Sequence, residues 1–459
     1  MMTITRHFIR IGNRTVHYRK AGSGPILLMI HQSPRSSAEY EALMETWSPH
    51  FTCIAPDTPG FGQSDPLPGN PDINDFAAAV HDLLDALGID HCAAYGFHSG
   101  AIILMTAVKQ QPDRFSRVAM GGYAVWTPAE MELFGDAYLP PFHPSDYGEH
   151  LTWLWNRILE QSWFFPWFAT DEAHRLSVAH ADPVRVNAVV REMLDAGNAY
   201  QAGYGAVLRA PRDIPPADAA MPPCLITAYD GDPLQEHIDR LGEMPTGWSA
   251  RKVETPADHQ QASLDHLRNG DHAPAPELPE APDRGFVAIA HGGFDGLIHW
   301  RGDPGADALI LHAPGRASAA QADSGTLHID LPGHGLSDDW TGDAPTDWQR
   351  WQAVIGAIAD SFSAATIDGP SAPTGDPAQL YPDLTPDRFG AYLTTAWQVV
   401  RARHFYEPWY AADADHARAF DPGDLAPEKL AIEHLELLQA RAARAWHEAL
   451  LDRHKGAAS

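Results

Sequence analysis

Gly96-Phe97-His98-Ser99-Gly100 lies between an apolar run, His91 to Tyr95, and a helix-prone run, Ala101 to Gln111, which Pro112-Asp113-Arg114 closes. That order predicts a strand, a tight turn and a helix. Glycines two positions either side of a central residue leave room for a strained turn that projects a single side chain. Gly96 and Gly100 bracket His98 rather than Ser99. With Ser99 at the centre, Phe97 and Ala101 would fill the small positions, and a phenyl ring there would clash. An imidazole is therefore expected at the tip of the turn.

The chain has 459 residues, 44% of them hydrophobic, enough for two core-bearing domains. Sixty acidic against thirty-two basic side chains leave a formal charge of -28. Such a field repels nucleic acid and anionic membranes, so neither is an expected partner. Cys53, Cys92 and Cys224 lie in apolar, strand-like runs without metal spacing or a disulfide framework, as in a reducing compartment. Met1 to Lys20 lacks the apolar core of a signal peptide, and no apolar run approaches the roughly 18 residues of a membrane span. A cytoplasmic protein is expected.

The sequence repeats itself. Ala55-Pro-Asp-Thr-Pro-Gly-Phe-Gly-Gln-Ser-Asp65 returns as His328-Ile-Asp-Leu-Pro-Gly-His-Gly-Leu-Ser-Asp338, an offset of 273, each after an apolar strand. Each is preceded by a second apolar run ending in histidine, Ile26 to His31 and Ala308 to His312. Pro144 to Trp167 matches Pro386 to Trp409 at an offset of 242, pairing Trp155 with Trp397 and Pro166 with Pro408. The smaller offset implies that the later copy has lost the part equivalent to Gly96 to Trp126: the turn, its helix and the next strand. Asn269 to Arg284 is rich in Pro, Ala and Glu without apolar periodicity, which reads as a linker. The expected division is a complete domain over 1–268, a linker over 269–284, and a shortened, degenerate copy over 285–459. The copy ends in one helical run, Pro427 to Arg453, and so lacks counterparts of the last two strands. Gly369-Pro-Ser-Ala-Pro373 falls at the turn's offset, but Pro373 replaces the needed glycine, which argues against catalysis by Ser371.

Strands alternating with helices are expected at Ile26–Ile30, Thr52–Ala55, Cys92–Tyr95, Val118–Gly121, Cys224–Ala228 and Ala250–Glu254. With this order, the first half resembles the lid-bearing α/β-hydrolase superfamily over nearly its whole length. The resemblance implies an α/β fold, a mostly parallel sheet with a helical lid over about 127–212, followed by the shortened half. His31-Gln32-Ser33-Pro34 is similar to the family's His-Gly-x-Pro oxyanion loop, with glutamine for glycine, and implies oxyanion donors at the amides of Ser33 and Ser99. The family's acid position falls in Ala228-Tyr-Asp-Gly-Asp-Pro-Leu234, where Asp232 precedes Pro-Leu as in the common pattern and Asp230 is the rival. The family's histidine position falls on His259, although a helix-capping or surface-loop histidine would share its spacing, and His266 and His272 lie close behind. Only the nucleophile departs, with histidine for serine.

His98, Asp232 and His259 are thus the expected catalytic set. The imidazole is an available base or nucleophile near neutral pH. It can activate water, abstract a substrate proton, attack directly, or survive as a relic of the fold. Two imidazoles and a carboxylate also suit zinc, but no spacing points to a metal or any other cofactor. Arg35 beside the oxyanion loop suggests an anion clamp, with a surface ion pair as the plain alternative. Rings such as Trp126, Trp155 and Trp163 crowd the lid segment and imply a largely apolar small-molecule substrate, provided that some of them face a cavity rather than the core. The resemblance implies a hydrolase for an ester, thioester or carbon-carbon bond. A lyase or a silent ligand-binding protein are the alternatives. Epoxide hydrolases and haloalkane dehalogenases share the layout but carry aspartate where this chain has His98. The shortened half keeps its aromatic segment without a complete sheet, so it is expected to pack on the first half or across a homodimer.

Overall fold

A computed structural model describes residues 4–177, 179–270, 272–318 and 325–457. The chain forms two compact units, one of residues 1–142 and 154–280, the other of residues 143–153 and 281–459. The segment 143–153, read from sequence as part of the first domain's lid, packs within the second unit.

The first unit is built on one sheet of β1 (Thr5–Ile11), β2 (Arg14–Ala21), β3 (Ile26–Ile30), β4 (Thr52–Pro56), β5 (Cys92–Phe97), β6 (Phe115–Gly121), β7 (Cys224–Tyr229) and β8 (Trp248–Val253), in the order 1-2-4-3-5-6-7-8. Pairing is antiparallel from β1 through β2 to β4 and parallel from there on. Helices cover both faces, so the central strands read as continuous apolar runs. Successive residues still divide between the faces. Leu28, Ile30 and Ala94 pack toward α2 (Ile73–Ala86) and α3 (Ser99–Gln110), while Leu27, Met29, Ala93 and Tyr95 meet Trp47 of α1 (Glu41–Trp47) and Leu264 and Leu267 of α8 (Pro256–Arg268). Between β6 and β7 the chain inserts α4 (Pro128–Phe134), α5 (Glu149–Gln161), α6 (Pro183–Ala196) and α7 (Ala199–Arg209).

The second unit has its own sheet of β9 (Arg284–His291), β10 (Phe294–Gly302), β11 (Ala308–Leu311), β12 (Leu327–Ile329) and β13 (Thr366–Asp368), in the order 9-10-12-11-13. Its pairings are antiparallel, antiparallel, parallel and parallel, the same sequence as β1-β2-β4-β3-β5. α9 (Trp348–Phe362) packs against it; α10 (Pro377–Leu380), α11 (Ala391–Arg403), α12 (Pro427–Gln439) and α13 (Ala443–Ala457) follow. The single run expected over Pro427 to Arg453 is therefore two helices. It breaks where the Ala442 amide donates to the Gly333 carbonyl at 3.2 Å. α13 then packs on α9, with Trp446 fully buried against Trp351 at 4.9 Å. Among the described residues, no helix is long and apolar enough to cross a membrane.

Candidate active site

β5 ends at Phe97 and α3 begins at Ser99, leaving His98 alone in the turn with φ 49° and ψ -115°. A positive φ is costly for a residue with a Cβ, so this backbone is held by its surroundings. The His98 amide donates to the Gly121 carbonyl at 2.8 Å. A Cβ on Gly96 would lie 2.7 Å from the Gly100 carbonyl oxygen, and one on Gly100 would lie 2.0 Å from that of Ile30. Both glycines are needed for strand and helix to approach this closely.

The turn aims the His98 ring at the loop after β7. His98 Nε2 lies 3.0 and 3.1 Å from the two carboxylate oxygens of Asp232. Burial alone would raise the Asp232 pKa, but His98, the Leu234 amide and His259 outweigh it and hold the carboxyl below its ordinary value. An ionised carboxylate only accepts, so Nε2 is the donor in this pair. The His98 side chain keeps 22% of its surface exposed, whereas that of Asp232 keeps none. Phe97 stacks on the imidazole with centroids 4.1 Å apart. Gly122 closes the other side, where a Cβ would fall 2.3 Å from His98 Cδ2 and 3.0 Å from Asp232 Oδ2.

His259 is not part of this pair. It sits in the first turn of α8, 2% exposed, with Nε2 2.8 Å from the Tyr95 hydroxyl and Nδ1 2.6 Å from that of Thr227. Both ring nitrogens are thus engaged with the sheet. Burial pushes its pKa down to about 4, with His98 adding to the fall and Asp232 opposing it. The third catalytic position expected from the resemblance is therefore a neutral, buried histidine held by Tyr95 and Thr227.

The oxyanion donors also differ from expectation. Ser99 is 5% exposed, and its Oγ accepts the Ser33 amide at 2.5 Å, so that donor is already occupied. The Ser99 amide lies in the first turn of α3, where amides have no intrahelical partner. Gln32, standing where glycine was expected, ties the loop down: its amide and side-chain nitrogen donate to Glu39 at 2.9 and 3.0 Å.

Arg35 is no free clamp. Its Nε donates to Glu192 of α6, and Glu39 lies 3.8 Å from Nη1. Glu192 also accepts from the amide and hydroxyl of Ser36 at 3.0 and 2.7 Å. Burial opposes the charge, but the two carboxylates raise the Arg35 pKa above its ordinary value.

Of the three tryptophans, Trp155 is 1% exposed and belongs to the core. Trp163 is half-buried, with Nε1 donating to the His180 carbonyl at 2.6 Å. Trp126 is half-buried between Phe134, Phe165 and His237, at 4.8, 6.0 and 4.7 Å. Sequence reading missed Glu192, for which no local pattern exists. It also missed Gly121-Gly122, whose pairing at a strand end was a signal. Among the described residues no group of three or more His, Cys, Asp or Glu is placed to hold a metal.

The first unit thus combines a mostly parallel sheet with helices on both faces, a positive-φ residue between strand and helix, and an acid after the next-but-one strand. Residues 25–202 match the family described as alpha/beta hydrolase fold. The chain is 37% identical over 111 residues to 2-(acetamidomethylene)succinate hydrolase of Mesorhizobium japonicum, covering 23% of this chain and 40% of that protein. It is 28% identical over 220 residues to haloalkane dehalogenase 2 of Mycobacterium tuberculosis, covering 46% of this chain and 73% of that protein. A solved enol-lactonase from Burkholderia xenovorans LB400 aligns with 57% of this chain and 99% of its own at 20% identity and a TM-score of 0.44. The chain thus spans about two fifths of the Mesorhizobium enzyme it matches.

Proposed function

We propose that the first unit is a small-molecule hydrolase in which His98, oriented by Asp232, is the general base that activates water. The observation that carries this reading is the 3.0 Å contact between His98 Nε2 and Asp232 at the tip of a strained turn. In the proposed step, Nδ1 takes a proton from water as the water oxygen bonds to the substrate's carbonyl carbon. The carbonyl electron pair moves onto oxygen, where the Ser99 amide stabilises it. Collapse breaks the bond to the leaving group, which recovers the proton from the imidazolium. The hydrolase names of the sequence relatives support the class. The ring-lined helices over about 127–212, read as a lid, favour an apolar ester, thioester or carbon-carbon substrate. Dehalogenation is not proposed, because aspartate is absent from the His98 position.

We further infer that the second unit is a degenerate copy that lost its nucleophile position. The five strands of the second sheet repeat the order and direction of β1 to β5, and several hydrogen bonds recur between corresponding atoms. His17 Nδ1 to Asp57 at 2.8 Å corresponds to His299 Nδ1 to Asp330 at 2.9 Å. The Thr58 amide to His31 at 2.9 Å corresponds to the Leu331 amide to His312 at 3.0 Å. In the aromatic segments, Trp167 Nε1 to Tyr138 O and Trp409 Nε1 to Leu380 O are both 3.2 Å.

The test is turnover of a panel of small esters, thioesters, β-diketones and 2-(acetamidomethylene)succinate in oxygen-18 water. Label in the acid product supports hydrolysis. Turnover without label assigns the base to proton abstraction from carbon, and binding without turnover leaves a silent scaffold.

A further inference from the structure

The second unit carries a half-open cavity of about 630 Å³ that none of the chemistry above uses. Its walls come from the loop after β11, the end of α11 and the aromatic segment that follows, with Tyr381, Tyr406, Trp409 and Phe420 among them. That volume lies within the range of small-molecule sites, which pair apolar walls with a few fixed polar groups.

The charged groups on its lining are nearly all paired. Arg316 binds Glu433 at 3.1 Å and Glu436 at 2.9 Å, and His404 lies 3.3 Å from Glu433. Arg418 lies 3.6 Å from Glu407, and Asp424 binds Lys429 at 2.9 Å. Asp421 accepts the Gly423 amide at 2.8 Å. Arg403 is the exception: among the described residues, its guanidinium has neither an ion pair nor a hydrogen bond. It lies over Gly315, where a Cβ would come within 3.2 Å of both Nη2 and Tyr381 Cε1, so the glycine keeps the approach open. At the 242 offset its counterpart in the first unit is Gln161, whose side-chain oxygen accepts from Arg157 at 2.9 Å, so there the guanidinium is supplied from one turn earlier and is hydrogen-bonded. A guanidinium in such a place is costly while no acceptor binds it directly.

We propose that this cavity is a binding site for a small organic acid with an aromatic or aliphatic body, its carboxylate held by Arg403. Arginine's planar fork matches a carboxylate in two parallel hydrogen bonds. A single carboxylate fits better than a phosphate dianion, because Arg403 is one unpaired cation and the neighbouring Arg316 is already paired with Glu433 and Glu436. Tyr381, Trp409 and Phe420 would take the apolar body. The site needs nothing from His98.

The experiment titrates the full-length protein with 3-phenylpropionate and, separately, with its uncharged amide, by calorimetry and ligand-observed NMR. The acid is expected to bind, and the amide to bind at least about tenfold more weakly, the scale of a lost charge-assisted hydrogen bond. Arg403→Gln should weaken the acid equally, Arg403→Lys should retain part of the affinity, and His98→Ala should leave it unchanged. Equal binding of acid and amide overturns the proposal, as does wild-type affinity in Arg403→Gln or loss of binding in His98→Ala. No binding of the acid up to about 20 mM, a concentration far above a useful Kd, also overturns it. Should Arg403→Gln not fold, the acid-to-amide ratio on the wild-type chain still decides the matter.

Discussion

His98 combines a backbone that disfavours any side chain with a Cβ and a ring fixed on a buried carboxylate. Replacing it by alanine should lower kcat by about 10²–10⁴, the usual contribution of a general base, while circular dichroism shows an intact fold. Unchanged turnover would remove every active role for this ring. Ser99 makes a sharper test, because its hydroxyl now occupies the Ser33 amide. Ser99→Ala frees that donor for substrate, so kcat should rise, by up to about tenfold if one net hydrogen bond is exchanged. A fall in kcat would instead make the hydroxyl part of the machinery. The position of Asp232 was legible because a Gly-x-Pro-Leu context fixes a loop. The direction of the His259 ring was not, since it depends on Tyr95 and Thr227, distant in sequence. That burial has a pH signature. The His259 pKa of about 4 lies below the unfolded value near 6.5, so the folded state resists protonation. Its contribution is present above pH 6.5 and is lost as pH falls toward 4, by about 3 kcal/mol in all. His259→Gln should be less stable at pH 7 yet lose less stability between pH 6.5 and 4, as read by urea denaturation at each pH.

At the level of elements, the strands beside the site were legible in their apolar runs, and β3 matches its expected bounds residue for residue. The β1–β2 hairpin was not read: Thr5–Ile11 and Arg14–Ala21 mix apolar with basic residues, and their pairing rests on β4 completing the edge. Nor could sequence show that α6 holds the loop after β3. Glu192 does so by accepting from Arg35 and from both donors of Ser36. The link crosses more than 150 residues, beyond any local pattern. Glu192→Gln keeps the shape but removes the charge. It should cost about 1.5–3 kcal/mol in urea denaturation, the range for hydrogen bonds to a charged group. It should also raise KM more than it lowers kcat, because the loop it anchors borders the site without supplying the base. An equal fall in kcat with KM unchanged would contradict that positioning role.

For the molecule as a whole, the expectation of a repeat rests on short glycine- and proline-rich motifs, which are the kind that survive divergence. The partner of residues 143–153 was not legible, since those residues lie inside the first unit's chain and pack within the second. There Trp397, 1% exposed, donates to the Asp146 carbonyl at 3.3 Å, stands edge-on to His150 at 4.9 Å and fills the space over Gly148, where a Cβ would touch the indole at 3.0 Å. Arg401, one turn on, lies over the Tyr147 ring at 4.8 Å. These contacts fix residues 143–153 within the second unit. Trp397→Ala removes the indole and leaves a cavity, with an expected loss of about 3–5 kcal/mol. Phe389→Ser, at a position 81% exposed, should leave stability within about 0.5 kcal/mol of wild type. If these contacts hold the segment, Trp397→Ala should also raise proteolytic cleavage within 143–153 well before global unfolding, measured by limited digestion and mass spectrometry. A variant that melts lower with that segment still protected would confine the role of Trp397 to its own unit's core.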